Sequence, residues 1–151
     1  MNSQPASHAL TIKPIEDGDI PEVIALWQRC GSTREWNDPA GDIALARNEA
    51  NATVLLGRND GALVASVLVG HDGHRGWVYY VTVDPDHRFK GYGRIIMAAA
   101  EDWLRARGIE KLQLMVRGDN AVVHAFYRSL GYYDQERVVF AKWLDGRAPT
   151  P

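Results

Sequence analysis

Val81-Thr82-Val83-Asp84-Pro85-Asp86-His87-Arg88-Phe89-Lys90-Gly91-Tyr92-Gly93-Arg94 joins two kinds of periodicity. Its first residues close the run Trp77 to Val83, β-branched and aromatic throughout, which reads as a strand. Beyond Asp84-Pro85 the apolar residues Ile95, Ile96, Ala99, Ala100, Trp103 and Leu104 recur at helical spacing until Gly108 stops them. Another apolar run, Lys111 to Val116, reads as the next strand. Strand, helix and strand over residues 77 to 116 imply a parallel pair with a right-handed crossover. The join itself is a strand-to-helix turn, where unpaired N–H groups and the helix dipole favour an anion. Gly91 and Gly93 let the backbone approach phosphate oxygens, and Arg88, Lys90 and Arg94 add charge that suits a diphosphate better than a carboxylate. A bare G-x-G is by itself an ordinary turn. A Rossmann fingerprint would need a third glycine where Ile96 stands, and a Walker A loop would need Gly-Lys-Ser/Thr, which is absent.

Working towards the N-terminus, Asn59-Asp60-Gly61 is hairpin chemistry between two antiparallel strands, Thr53 to Arg58 and Ala62 to Gly70. A polar loop, His71 to Gly76, follows. A helix starting after Asp38-Pro39 carries Ile43 and Leu45. Before it, Asp17 or Asp19 can cap a helix with Pro21 in its first turn and Val23, Ile24 and Trp27 on one apolar face, ended by Gly31. Ala9 to Ile15 alternates as a first strand, placed at an edge by Pro14. Towards the C-terminus, Asn120 can cap a helix bearing Val123, Phe126, Tyr127 and Leu130, terminated by Gly131. Two last strands are expected around Tyr132-Tyr133 and over Arg137 to Leu144.

With 151 residues, 46% of them apolar and 24% charged, the chain suits a single globular domain, expected over residues 9–144 with loose tails at 1–8 and 145–151. A net charge of −2 argues against binding a polyanion through many phosphates, so no nucleic-acid partner is expected. No apolar run is long enough to span a bilayer, and Met1 to His8 lacks a basic region followed by an apolar block. Cys30 is the only cysteine, which fits a reducing compartment, and a cytoplasmic location is the expectation. Of the five histidines, only His71 and His74 are close in sequence and no cysteine is near them, so no metal is expected.

The Val81 to Gly93 stretch resembles the acetyl-CoA signature of the GNAT N-acetyltransferases, whose core is Arg/Gln-x-x-Gly-x-Gly/Ala. Asn120 followed by Ala125-Phe126-Tyr127-Arg128-Ser129-Leu130-Gly131-Tyr132 is similar to that family's second block. Two blocks at this separation are far more specific than either alone. Trp36-Asn37-Asp38-Pro39 and Asp72-Gly73-His74-Arg75-Gly76-Trp77 further resemble the YpeA-type branch, so the likeness runs from about residue 10 to residue 144.

The resemblance implies an α/β (α+β) GNAT fold: a mixed, mostly antiparallel sheet of about seven strands, a splayed parallel pair at its centre and helices on both faces. It implies acetyl-CoA as co-substrate, with the backbone of Val81, Thr82 and Val83 pairing with the pantetheine arm. Arg88, Phe89, Lys90, Gly91, Tyr92, Gly93 and Arg94 then hold the pyrophosphate, and Asn120 lies near the arm. Tyr127 matches the usual general acid, since a phenol stays protonated at neutral pH and can protonate a departing thiolate. In a related branch that acetylates ribosomal-protein N-termini, the strand written here Leu112 to Arg117 carries a glutamate base where Met115 stands. The base is therefore unassigned among a water chain held by Tyr79 or Tyr80, His74, and Asp38 or Asp42. Trp36, Asp38, His74, Tyr79 and Tyr80 form the expected acceptor wall. The activity implied is direct transfer of acetyl to a primary amine of a small molecule, peptide or protein. A non-catalytic acyl-CoA sensor or interaction module is the rival, and a homodimer is left open.

Overall fold

The computed structural model describes residues 9–151, and the expected loose segment 1–8 lies outside them. The described chain forms two compact units, one ending at Leu114 and the other running from Met115 to Pro151.

The first unit is built on a five-stranded sheet in the order β1-β2-β3-β4-β5: β1 Thr11–Pro14, β2 Ala52–Asn59, β3 Ala62–His71, β4 Gly76–Val83 and β5 Leu112–Gln113. The first three pairings are antiparallel and β4 pairs with β5 in parallel. Proline keeps β1 at the edge, as its missing N–H requires. Asp60 and Gly61 turn the β2–β3 hairpin with φ of 47° and 84°, the left-handed pair that matches strand twist.

Helices α1 Ile20–Arg29 and α2 Pro39–Asn48 cover one face of the sheet. Their apolar stripes meet β2 and β3 in a core of Ile15, Val23, Leu26, Trp27, Ile43, Val54, Leu56 and Leu63. Helix α3 Tyr92–Arg105 covers the other, burying Tyr92, Ile96, Met97, Ala100 and Leu104. Gly76 permits that packing, because a Cβ there would overlap the Leu104 side chain. Gly76→Ala is accordingly expected to destabilise the protein by about 1–3 kcal/mol through overpacking, read as a lower midpoint in urea with an unchanged slope.

The fold class stands as read, with two differences in the sheet. β5 is reduced to Leu112–Gln113, and residues 132–143 contain neither strand nor helix, so the described sheet has five strands rather than seven and its parallel pair lies at an edge. A β-rich composition makes a strand only where a neighbour's ladder and a buried face accept it. Val138 and Phe140 are 80% and 94% exposed, which shows no such face. In the second unit, α4 Ala121–Ser129 forms as its capping residue predicts. Among the described residues no helix is long and apolar enough to cross a membrane.

Candidate active site

β4 is where the site is assembled. Its ladder with β5 covers only Gly76↔Leu112 and Trp77↔Gln113, so from Val78 onward its outer edge has no strand partner among the described residues. On the inner side its register against β3 shifts between Ser66 and Leu68. The bulged residue, Tyr80, has a φ of 50°, an unfavourable value for an aromatic residue that neighbours must enforce.

Those neighbours are visible. The Tyr80 ring stacks on Trp27 of α1 with centroids 3.8 Å apart and planes within 3°. Its hydroxyl donates to Asp42 Oδ2 of α2 at 2.6 Å. Trp27 Nε1 donates to Ser66 Oγ at 2.8 Å, and Ser66 Oγ donates to the Tyr80 carbonyl at 3.2 Å. Thr82 Oγ1 completes the set, 2.7 Å from Ser66 Oγ. With its single proton given to Tyr80, Ser66 accepts from both Trp27 and Thr82, so every buried polar atom of the group is matched. The signal for this brace was Ser66, a lone hydroxyl within an apolar strand; nothing in the sequence marked the positive φ.

The end of β4 is fastened by the last residues of α1. Arg29 Nη2 pairs with Asp84 Oδ2 at 2.7 Å, and the Cys30 thiol donates to the Val83 carbonyl at 3.3 Å. Burial raises the Asp84 carboxyl, but the Asp86 amide and Arg29 together outweigh it and hold the group below its ordinary value. Burial also pushes the Cys30 thiol up, against the opposing charge of Arg88, which makes Cys30 an anchor and a poor nucleophile. Because the Asp84 N–H donates to the Val64 carbonyl on the β3 side, alternation turns the Val83 N–H outward to the open edge. Arg29 and Asp84 went unread as site residues; the Asp-Pro pair was legible only as a boundary.

Asp84 also starts the turn that follows, accepting from the Asp86 N–H at 2.9 Å at the head of a short 3-10 segment, Pro85–His87. The chain then passes through Phe89 at φ 64° and Gly91 at φ 81° into α3. Gly91 is the N-cap, no side chain caps the helix, and no acidic residue occupies its first turn. The positive end of the helix is thus not neutralised by a capping side chain or a first-turn carboxylate. Among the described residues Arg88 and Lys90 form no ion pair. Tyr92 differs from its expected role: its side chain is buried, and its hydroxyl accepts from Asn59 Nδ2 at 2.6 Å, leaving only its backbone to the cradle. The Thr82 side chain is likewise turned inward.

The expected acceptor residues come from the α1–α2 loop, the β3–β4 hairpin and β4, and several of them carry structural duties. Tyr80 is in the brace; Tyr79 is 46% exposed. Asp38 accepts from the Gly41 N–H at 3.1 Å as the cap of α2. Trp36 is half-buried in the α1–α2 loop, and His74 is exposed in the β3–β4 hairpin, whose turn is held by Asp72 accepting from the His74 and Arg75 amides. Among the described residues no group of three or more His, Cys, Asp or Glu could hold a metal ion.

In the second unit, Asn120 accepts from the Val123 N–H at 3.2 Å and caps α4. Tyr127, on the same helix, packs edge-on to Phe126 and Tyr132 at centroid distances of 5.0 and 5.8 Å. Burial pushes its hydroxyl up to about 12, so it is a proton donor throughout the neutral range. The pH consequence has a definite sign. Below about 10, the ordinary tyrosine value, folded and unfolded chains both keep the proton and the contribution is fully present; between there and 12 only the unfolded chain ionises, and stability is lost. Urea denaturation at stepped pH should show that decline, and Tyr127→Phe should reduce it.

The Acetyltransferase (GNAT) family profile matches residues 20–132. An acetyltransferase of Yersinia enterocolitica is 40% identical over 135 residues, which are 89% of this chain and 96% of the relative. The crystal structure of the ribosomal-protein-S18-alanine N-acetyltransferase from Escherichia coli superposes with a TM-score of 0.74 at 26% identity, covering 92% of this chain and 88% of that one. AAC(6')-Iy in complex with the bisubstrate analogue CoA-S-monomethyl-acetylneamine superposes at 0.77 with 14% identity, over 89% of this chain and 98% of that one, and so shares the fold. The profile match, the relative's near-complete coverage and the strand–cradle–helix geometry agree: the chain belongs to the GNAT family of acetyltransferases.

Proposed function

We propose that the protein transfers the acetyl group of acetyl-CoA to a primary amine of a small molecule, peptide or protein. One observation carries this reading. An uncapped helix N-terminus, entered through Gly91 and flanked by Arg88 and Lys90, follows within a short turn on a strand whose outer edge from Val78 onward has no strand partner among the described residues. The alanine named for the S18 N-acetyltransferase supports an amine acceptor here, and the CoA-S-monomethyl-acetylneamine analogue bound by the other neighbour supports CoA as the donor.

Acetyl-CoA supplies an activated thioester. The residues of the chain divide the remaining work. Backbone amides from Gly91 to Arg94, aided by Arg88 and Lys90, hold the pyrophosphate at the positive end of α3. The open edge of β4 over Val81, Thr82 and Val83 binds the pantetheine amides as a further strand would, and Asn120 is assigned the role of a polar contact for that arm. The outward Val83 N–H donates to the thioester carbonyl oxygen, where negative charge develops as the amine attacks. Tyr127 gives its proton to the leaving sulfur. Trp36, Asp38, His74, Tyr79 and Tyr80 line the acceptor side. Asp38 and Asp42 are engaged by a helix cap and by Tyr80, so loss of the amine proton to water is the route that fits these positions. The two reactants gain most from being held together in one orientation.

Purified protein is expected to release free thiol from acetyl-CoA when offered at least one member of a panel of amino-terminal peptides, polyamines and aminoglycosides. Tight CoA binding with no thiol release across the panel would favour the acyl-CoA sensor instead.

A further inference from the structure

Two aromatic residues belong to the cradle, and the structure uses only one of them. Tyr92 is 2% exposed and hydrogen-bonded to Asn59. Phe89 is 104% exposed and sits at φ 64°. Both properties oppose stability: a left-handed backbone is unfavourable for a side chain with a Cβ, and a bare ring gives up the apolar burial that a phenylalanine ordinarily gains. Glycine would meet the same turn at no steric cost. The ring touches nothing that would compensate, so its use lies outside the chain.

Its position says what that partner is. Phe89 stands between Arg88 and Lys90 and two residues before the N-cap of α3, on the rim of the diphosphate cradle. In CoA the pyrophosphate is joined through one ribose to adenine, a flat heteroaromatic ring, and the ribose carries a further phosphate. We propose that Phe89 is the specificity residue for the nucleotide half of the donor, stacking on its adenine while Arg88 and Lys90 face its phosphates. The proposal rests on the acetyl-CoA reading above and adds to it a selection against donors whose acyl thioester ends in a bare phosphopantetheine. A purine is favoured over an apolar protein surface because the cations next to Phe89 in sequence, Arg88 and Lys90, suit an anionic nucleotide and not a dry interface.

The test is calorimetry of the full chain with three probes, CoA, adenosine 3′,5′-bisphosphate and 4′-phosphopantetheine, on wild type, Phe89→Gly and Phe89→Trp, with a thermal melt of each protein alone. Phe89→Gly is expected to weaken CoA and the bisphosphate by about tenfold, the scale of one base stacked on an aromatic ring, and to leave 4′-phosphopantetheine unchanged. Phe89→Trp should bind CoA at least as tightly as wild type. The ligand-free glycine variant should melt at or above wild type, since it relieves the backbone. Wild-type affinity for CoA in Phe89→Gly would overturn the proposal, and so would an equal loss for all three probes, which would mark a loop-ordering role. A melt well below wild type would overturn it by giving the ring a partner within the chain. Wild-type protein that binds none of the probes would instead remove the acetyl-CoA reading itself, a separate and distinguishable result.

Discussion

Tyr127→Phe is expected to lower turnover by about a hundredfold to ten-thousandfold, the usual range for a positioned acid, with the Michaelis constant for acetyl-CoA little changed. The substitution removes one oxygen and keeps the ring that meets Phe126 and Tyr132 edge-on, so packing is nearly preserved. Burial pushes the hydroxyl up to about 12, so the proton is present throughout the neutral range in which rates are measured. A core role for the ring predicts the reverse, a small loss of stability with near-normal turnover. Steady-state rates at saturating acceptor, beside urea midpoints for both proteins, separate the two. Undiminished turnover would remove Tyr127 from the mechanism.

The second large effect is expected at Gly91. Its φ of 81° is open to glycine and strained for valine, yet a Cβ there would meet no protein atom within 4 Å. The added side chain would project from the N-cap of an otherwise uncapped helix, where the diphosphate must touch backbone amides. Gly91→Val should therefore weaken CoA on the order of a hundredfold, as loss of more than one charge-assisted amide contact implies. Its stability should fall by only about 1–2 kcal/mol, from the backbone conformation. Calorimetry on protein shown to be folded is the measurement, and unchanged CoA affinity would sink the cradle assignment.

What could be read from the sequence follows a physical line. The cradle was legible because its chemistry is local: glycines, cations and a helix start lie within a few residues, and the resemblance to a known family extends over the same stretch. Helix starts at Asp38 and Asn120 were legible for the same reason, as both side chains act as caps. The brace around Tyr80 was not, because it joins α1, α2, β3 and β4 across long sequence separations and enforces a φ that no residue type announces. Asp42 stands among several candidate bases, and its bond to Tyr80 gives it a structural duty as well. The ring of Tyr92 belongs to the core while its backbone stays with the cradle, a division that the turn sequence does not announce. The last two strands failed because alternation and β-propensity describe a surface that a sheet would accept, without stating that a neighbouring ladder is there.

The two fastenings on the α1–α2 side have a consequence for how such a protein can diversify. Arg29 and Cys30 tie the end of α1 to Asp84 and Val83, and Asp38 with Asp42 fixes the start of α2 to its own cap and to Tyr80. The connection between them, residues 31–37, is thereby suspended from two points that are already anchored to β4. Exchanging that connection leaves donor binding and the bulged strand in place while altering the side chains presented beside them. Under the proposed acceptor assignment, which places Trp36 on this connection, exchanging it is expected to change acceptor preference while CoA affinity stays at the wild-type level.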